Sequence, residues 1–329
     1  MENAPFHADV ADGPEGGRAF WLQAADGVRL RIGLWTPEGA DKGTVFLFPG
    51  RTEYVEKYGR AARDFATRGY ATLVVDWRGQ GLADRLLDDS MSGHVNVFSD
   101  YQKDVEAVVQ ALDQLDLPKP LHLLGHSMGG CIGLRAAMNG LPVASCSFTG
   151  PMWGIRIASP LRPVAWSLSW GSRQMGLCHL YAPGTKSDTY VLVDPFEANK
   201  LTCDRDMYQY MIDQAQAHPE LTLGGPSLRW LHEALRETLA LSRLPSPRLP
   251  CLTLLGTEED IVDIPRIRSR MALWPGGHLE EIDGGRHEVM MDTPEMRKRV
   301  FDMLAAHYDS AAKGFRNPAS PATAVAQGG

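Results

Sequence analysis

Apolar residues along the chain form short unbroken runs of strand length, separated by stretches with the spacing of amphipathic helices. Because these runs are unbroken, they predict strands of a sheet that is covered on both faces. A polar turn at Asp26-Gly27, between two alternating segments, predicts a hairpin before them. The predicted buried strands are Thr44–Phe48, Ala71–Val75, Leu121–Leu124, Ala144–Phe148, Cys251–Leu255 and Leu279–Ile282. Their alternation with helices predicts an α/β protein with a mainly parallel sheet.

Two of the intervening helices have clear start signals. Ser99–Gln102 has a capping-box pattern and precedes valines and leucines at helical spacing. Thr293-Pro294 supplies an N-cap and a proline at the first helical position of a terminal helix. Both helices are predicted to cover the sheet.

The strand signals disappear between residues 151 and 248, where aromatic, Met and Leu residues lie in helical segments. This break predicts a helical cap inserted into an α/β core made of residues 19–150 and 249–309. Residues 1–18 and 310–329 lack periodicity, so they are predicted to be flexible tails.

The composition narrows the function classes. The chain has 329 residues, of which 44% are hydrophobic and 22% charged, as in an ordinary globular protein with a core. Its formal net charge of -7, without a run of basic residues, argues against a nucleic-acid partner. Five scattered cysteines and an N-terminus without an apolar segment predict a reducing, cytoplasmic location. No Walker A or HExxH pattern is present, so neither a cofactor nor a catalytic metal is expected.

The most informative segment is Leu121–Gly130, a strand that runs directly into Gly-x-Ser-x-Gly and then into a helix. This arrangement is typical of a nucleophile elbow, in which a sharp turn lifts the serine hydroxyl away from the sheet. Ser127 is therefore the predicted nucleophile. The helix that follows points its first amides at the same place, so the Met128 N–H is a predicted oxyanion donor.

A serine nucleophile needs a histidine base that a carboxylate orients. His287 is the predicted base, because it follows a strand in a Gly-rich loop just before the last helix. His278 precedes that strand and would lie at the wrong end of the sheet. His126 and His94 are interpreted as structural or pocket-lining residues.

The acid is expected between the nucleophile and the histidine in the chain. Asp260 is the predicted acid, because it lies in an acidic turn after a strand and precedes an apolar pair. The competing residues in the same turn are Glu258, Glu259 and Asp263.

The second oxyanion donor is expected in the loop Pro49–Tyr54, which follows another predicted strand. Gly50 would let the backbone approach the substrate, and the Arg51 N–H is the predicted donor. The Gly-containing segment Asp76–Gly81 is interpreted as a structural turn.

These motifs, from Gly125–Gly130 and Asp76–Gly81 to the loops with Asp260 and His287, resemble those of the α/β-hydrolase superfamily. The segment Phe48–Tyr58 and the place of the cap are similar to the lysophospholipase L2 and monoacylglycerol lipase branch. The resemblance covers residues 19 to 309 and implies a serine hydrolase of single-acyl lipid esters, with the cap as a lid. Many members have His-Gly where this chain has Pro49-Gly50.

For the cap, Trp153, Trp166, Trp170 and Met175 are the predicted residues of an acyl tunnel, with packing in the core as the alternative for such aromatic residues. Contact of the cap with the periphery of a membrane is also expected. Alternative functions are a short-chain carboxylesterase, a peptidase similar to proline iminopeptidase, or a non-catalytic receptor with the hydrolase fold. The dependence of hydrolysis on acyl-chain length separates the lipase from the esterase.

Overall fold

The computed structural model describes residues 1–314 and has one sheet of nine strands. In chain order the strands are β1 Glu2–Ala4, β2 Arg18–Gln23, β3 Arg29–Trp35, β4 Gly43–Phe48, β5 Tyr70–Asp76, β6 Leu121–His126, β7 Ser145–Thr149, β8 Cys251–Gly256 and β9 Gly277–Ile282. Their order across the sheet is β1-β2-β3-β5-β4-β6-β7-β8-β9. From β5 to β9 all neighbouring strands are parallel, and β1, β2 and β3 join antiparallel.

Helices connect the parallel strands and cover the sheet. They are α1 Ala8–Ala11, α2 Gly59–Ala66, α3 Asp100–Ala111, α4 Met128–Met138, α5 Arg162–Gln174, α6 Tyr190–Val193, α7 Arg205–Ala217, α8 Leu228–Ser242, α9 Ile264–Ala272 and α10 Pro294–Gly314. The start of α10 follows the predicted pattern, because Thr293 Oγ1 accepts the Met296 N–H at 3.4 Å. Ser99 precedes α3, but its side chain makes no capping hydrogen bond.

The unbroken apolar strands are explained by cores on both faces of the sheet. In β4, Phe46 and Phe48 pack on the face that α3, α4, α8 and α9 cover. Val45 and Leu47 point the opposite way and pack with α2 and α10. Successive side chains of a strand alternate between its faces, so both must be apolar when both are covered. The predicted α/β-hydrolase class, with its mainly parallel and doubly covered sheet, is confirmed.

The N-terminal residues differ from the prediction of a flexible tail over 1–18. Glu2–Ala4 forms an edge strand that pairs with β2, and α1 follows it. Ala11 is buried, and its carbonyl accepts the Tyr210 hydroxyl of α7 at 2.6 Å. These contacts anchor the segment without any apolar periodicity, so the sequence pattern could not show them. At the other end, α10 continues to Gly314, and the rest of the predicted tail over 310–329 lies outside the described residues.

The segment between β7 and β8 contains α5, α6, α7 and α8. We call residues 151–248 the cap. Its first part contacts the loop after β8 through a bridge between Ile155 and Val262. No helix in residues 1–314 is both long and apolar enough to cross a membrane.

Candidate active site

Ser127 lies in a strained turn between β6 and α4. Its φ of 50° and ψ of -118° are unfavourable for a residue with a side chain. The turn is held by three backbone hydrogen bonds: the Ser127 N–H donates to Thr149, and its carbonyl accepts from Gly130 and Met152. At Gly129 an added Cβ would lie 1.9 Å from the Phe48 carbonyl oxygen, so only glycine lets α4 start this close to β4.

The loop after β4 approaches the start of α4, and Arg51 of this loop lines the same cavity as Ser127. The turn interpreted as structural fixes this loop: Trp77 Nε1 donates to the Pro49 carbonyl at 3.0 Å, and Gln80 Nε2 to the Gly50 carbonyl at 2.8 Å. Within the described chain, neither the Arg51 nor the Met128 backbone N–H donates to a protein acceptor. Both amides are therefore available to an oxyanion.

Gly50 has a different role from the predicted contact with substrate. Its N–H donates to the Glu53 carboxylate, and its carbonyl is taken by Gln80. An added Cβ would lie 2.9 Å from the Glu53 carboxylate. Gly50 thus makes room for a buried carboxylate, because a side chain there would displace it.

The carboxylate partner of His287 is Glu259. His287 Nδ1 lies 2.6 Å from Glu259 Oε2, and both side chains are buried. Glu259 Oε1 accepts the backbone N–H groups of Ile261 at 2.6 Å and Val262 at 3.2 Å. At Gly150, which has a φ of 46°, an added Cβ would lie 3.0 Å from both Glu259 Oε2 and His287 Nδ1. Glycine at the end of β7 therefore lets this pair pack against the sheet.

The prediction of Asp260 as the acid is wrong. Asp260 points away from His287 and forms ion pairs with Arg156 and Lys200, the latter at 2.6 Å. Its side chain is 39% exposed, whereas that of Glu259 is fully buried. The apolar pair that suggested Asp260 holds Glu259 instead, because the two N–H groups of that pair bind Glu259 Oε1. The sequence offered adjacent carboxylates and no signal for which one turns inward.

The electrostatics of this pair favour an ionised acid. Burial opposes ionisation of Glu259, but the hydrogen bond and attraction from His287, with the two backbone N–H groups, lower the pKa of its carboxyl. A carboxylate at Nδ1 requires a proton on that nitrogen, so in the neutral ring Nε2 is the basic atom.

Ser127, His287 and Arg51 line one cavity of about 220 Å³ between the sheet edge and the cap. The core contributes Ile261 to its wall. Apolar and hydroxyl side chains of the cap complete the lining: Thr189, Tyr190, Val191, Leu201, Met211, Ala215 and Thr222. No hydrogen bond joins Ser127 Oγ to His287 within residues 1–314, and such pairs often tighten only when substrate binds.

The three predicted tunnel tryptophans do not line this cavity. Trp153 is buried in the core, where its ring packs on Phe148 and Trp274 and its Nε1 donates to the Gly130 carbonyl at 3.1 Å. Trp166 and Trp170 border a separate surface groove of about 580 Å³ between α5 and α8. Aromatic content marked the cap as apolar but could not show which helix faces Ser127.

A buried cluster of charged residues, which the sequence analysis did not find, lies beneath the site. Lys57 Nζ contacts Glu53 Oε1 at 2.6 Å and Glu288 Oε1 at 2.5 Å. His126 Nε2 lies 3.4 Å from Glu53 and 3.3 Å from Glu288. Burial disfavours the imidazolium, but Glu288 and Glu53 raise the pKa of His126, which lets the four charges balance. His126 and Glu288 are the chain neighbours of Ser127 and His287, so the cluster fixes both.

Two groups of side chains have the composition of metal ligands. In Glu53, His126 and Glu288, the Lys57 ammonium already provides the cation between the carboxylates. The second group, His7, Asp9 and His218, joins the N-terminal segment to the end of α7, where His218 Nε2 pairs with Asp9 at 2.8 Å.

The strained serine, its two available amides and the carboxylate-oriented histidine have the arrangement that is typical of serine hydrolases with the α/β-hydrolase fold. A model of the family described as serine aminopeptidase, S33, matches residues 39–294. The chain belongs to this family, in the lysophospholipase and monoacylglycerol lipase branch, and is a carboxylic ester hydrolase.

Similar proteins agree with this assignment. Lysophospholipase L2 of Escherichia coli is 30% identical over 295 residues, which cover 84% of this chain and 85% of that protein. The probable lysophospholipase L2 of Haemophilus influenzae is 28% identical over 269 residues, covering 81% and 84%. A soluble variant of the monoglyceride lipase of Saccharomyces cerevisiae has the same fold, with a TM-score of 0.68, 18% identity, and coverage of 88% and 94%.

Proposed function

We propose that this protein hydrolyses single-acyl lipid esters, lysophospholipid or monoacylglycerol, through an acyl-enzyme on Ser127. The observation that carries the proposal is the Glu259–His287 pair, at 2.6 Å, whose histidine lines the same cavity as Ser127. This arrangement supplies a nucleophile, a base with the right tautomer and two oxyanion donors at one place.

In the first half of the reaction, Ser127 Oγ attacks the ester carbonyl while His287 Nε2 accepts its proton. Glu259 holds the ring and stabilises the imidazolium that forms. The Arg51 and Met128 amides bind the oxyanion of the tetrahedral intermediate. Collapse of the intermediate breaks the ester bond, and His287 returns the proton to the leaving alcohol.

In the second half, water attacks the acyl-enzyme and His287 accepts the proton of that water. The second tetrahedral intermediate breaks the bond to Ser127 Oγ, which recovers the proton from His287. The products are a fatty acid and the deacylated headgroup. The proton of Ser127 leaves with the alcohol and is replaced by one from water, so Ser127 and His287 end in their starting protonation states and the cycle needs no cofactor.

The substrate class is supported by the lining of the cavity and the names of the relatives. The cap side chains on the cavity wall are mostly apolar and suit an acyl chain. The volume of about 220 Å³ is below the ~300–1,000 Å³ usual for ligand pockets. A long acyl chain would therefore extend beyond this space, between the segments of the cap.

We infer that the cap also meets the surface of the membrane in which such lipids lie. Of the large hydrophobic side chains that are exposed in residues 1–314, nine lie between positions 161 and 193 of the cap: Leu161, Val164, Leu168, Trp170, Met175, Leu177, Leu180, Leu192 and Val193. Residues 161–193, which contain these nine side chains, have three basic residues and one acidic, in a chain of net charge -7. Of the three, Arg162 pairs with Asp263 and Lys186 with Asp188. An exposed apolar patch in a segment of positive net charge suits an anionic lipid surface.

The test of the nucleophile is labelling with a fluorophosphonate probe, followed by hydrolysis assays. We expect the Ser127→Ala variant to lose labelling and at least about 10⁴-fold in kcat for every ester. The matched control is Ser99→Ala, because Ser99 is exposed and caps no helix. Labelling that persists in the Ser127→Ala variant would exclude this residue.

The substrate class is tested with lysophospholipid, monoacylglycerol and p-nitrophenyl acetate. Release of fatty acid from the lipids, rising with acyl length, is the expected result. Hydrolysis of p-nitrophenyl acetate alone would indicate a short-chain esterase. Folded protein that neither labels nor hydrolyses any ester would favour the receptor alternative.

A further inference from the structure

We propose that the Arg51 side chain selects substrates with a phosphate group at the far end of the glycerol from the scissile ester. This inference rests on the proposed function and refines it, because it separates lysophospholipid from the uncharged monoacylglycerol. It concerns the guanidinium of Arg51, whereas the proposed oxyanion contact uses the backbone N–H of the same residue.

The position of Arg51 links the two ends of such a substrate. Arg51 and Ser127 line the same cavity, and the Arg51 side chain reaches the cap. Nη1 donates to the carbonyl of Gly224 in the cap at 2.7 Å, and the guanidinium lies 5.8 Å from the ring of Trp230. The aliphatic part of the Arg51 side chain therefore separates the guanidinium from the backbone N–H of the same residue. In a lysophospholipid, the glycerol separates the phosphate from the ester in a similar way.

Arg51 differs from the buried residues Arg31 and Arg78 in its ion-pair partners. Arg31 has Glu56 and Asp76, and Arg78 has Asp26 and Asp104, all within 2.8 Å. Within residues 1–314, no carboxylate lies within ion-pair distance of the Arg51 guanidinium. Burial lowers the pKa of Arg51 to about 10, so it remains charged at neutral pH. A partly buried cation that no carboxylate contacts is costly, and a bound anion would lower that cost.

Arg85 shows what a purely structural arginine looks like in this part of the molecule. It is partly buried like Arg51, lacks a carboxylate partner in the same described region, and also joins the core to the cap. However, four carbonyl oxygens accept its N–H groups, those of Gly79, Gly81, Glu220 and Thr222. A guanidinium has five N–H donors. Arg51 uses one of them on a protein acceptor, so most of its donors remain for a ligand.

Besides Arg51, the cavity wall formed by the described residues has one lysine, Lys57, and carboxylates already neutralise its charge. Lys57 lines the cavity, but its ammonium contacts the carboxylates of Glu53 and Glu288. An anionic substrate group would compete there with two buried negative charges. Arg51 is thus the cationic side chain of this wall that can accept a phosphate without displacing a partner. Guanidinium groups also match phosphate geometry, because they donate two parallel hydrogen bonds.

The experiment compares kcat/KM for a lysophospholipid and a monoacylglycerol with the same acyl chain, presented in the same detergent. In the Arg51→Met variant we expect the ratio of the two kcat/KM values to fall by about 10- to 100-fold, the size of a lost charge-assisted contact. The Arg51→Lys variant should recover part of the ratio, because it restores the charge. A loss of activity that is equal for both lipids would show a merely structural role and would overturn the proposal.

Arg85→Met is the matched control. It should lower the melting temperature and leave the substrate ratio within about twofold of wild type, because Arg85 lies outside the cavity wall. An equal change of ratio in the Arg85→Met variant would contradict the proposal.

A second readout does not depend on lipid hydrolysis. Glycerol 3-phosphate should inhibit hydrolysis of p-nitrophenyl acetate more weakly in the Arg51→Met variant than in wild type, by about tenfold or more. Inhibition by inorganic phosphate shows whether the glycerol contributes. If wild type hydrolyses neither lipid, the proposed function fails, and the inhibition data alone decide the role of Arg51. Equal inhibition of wild type and the Arg51→Met variant by glycerol 3-phosphate would overturn the proposal that Arg51 binds the phosphate.

Discussion

Helices α10 and α5 both have an apolar stripe, but they place it on opposite sides. In α10, Phe301 and Leu304 are fully buried against the sheet. In α5, Val164 and Trp170 are 56% and 59% exposed, whereas Ser169 is buried. The buried face of α5 is a serine face, and Ser169 Oγ lies 3.2 Å from His232 Nδ1 of α8.

The difference teaches that an apolar stripe predicts a covered surface but not what covers it. In the core, the apolar side chains of the helices pack against the sheet, and this packing holds Ser127 in a strained turn. In the cap, the apolar side chains of α5 are exposed to solvent. We attribute the chemistry to the core and the choice of substrate to the cap and to the residues that reach it.

The boundary between the two regions falls between adjacent residues of one loop. Glu259 points into the core and binds His287. Asp260 points to the cap, where its partners are Arg156 and Lys200. This pair of neighbours gives the sharpest test of the division.

Among the substitutions that test this division, the largest effect is expected from Glu259→Gln. An amide cannot hold the same tautomer or stabilise the imidazolium, so kcat should fall by about 10³- to 10⁴-fold with the protein still folded. The measurement is steady-state hydrolysis of p-nitrophenyl esters, with circular dichroism to check the fold.

Asp260→Asn is the control one residue along the chain. It removes a partly exposed ion pair to the cap, so kcat should change by less than about threefold. If Asp260→Asn reduced kcat as much as Glu259→Gln, the assignment of the acid to Glu259 would be wrong.

The same loop shows where sequence reasoning ends. The Gly-x-Ser-x-Gly pattern and the order of strands located Ser127 and His287, because backbone geometry at a strand end dictates both residue type and place. The order also located the acidic turn. Which carboxylate turns inward depends on partners that are distant in the chain: His287 for Glu259, and Arg156 and Lys200 of the cap for Asp260.

Other residues escaped prediction for a related reason. The cluster of Lys57 with Glu53 and Glu288 includes a contact between Lys57 and Glu288, which are 231 residues apart in the chain. The N-terminal strand pairs through its backbone alone. Neither the charged cluster nor the N-terminal strand produces a periodic pattern in the sequence. The core strands could be predicted, because burial on both faces requires unbroken apolar runs.

An intermediate effect is expected from Lys57→Met in the core. Removing the ammonium leaves the carboxylates of Glu53 and Glu288 buried with only His126 to balance them, so stability should fall by about 3–5 kcal/mol. The measurement is denaturant unfolding of the variant and wild type.

Lys42→Met is the matched control, because Lys42 pairs with Asp309 at 3.3 Å on the surface. Such exposed pairs contribute at most about 1 kcal/mol. Lys57→Arg keeps the charge and should lie between the two. A cost below about 1 kcal/mol for Lys57→Met would show that the cluster does not need its cation.

The smallest effect on stability is expected where the cap exposes its apolar stripe. Trp170→Ser should change the free energy of unfolding by no more than about 0.5 kcal/mol, because the ring has little to lose on the folded protein. The same substitution should weaken binding to vesicles with anionic lipid by about tenfold, since burying a large apolar side chain is worth ~1.5–3 kcal/mol. Leu273→Ser is the control: Leu273 is 80% exposed but follows α9, outside the cap. Equal loss of vesicle binding in both variants would mean that exposure alone, and not the cap, decides where the protein meets lipid.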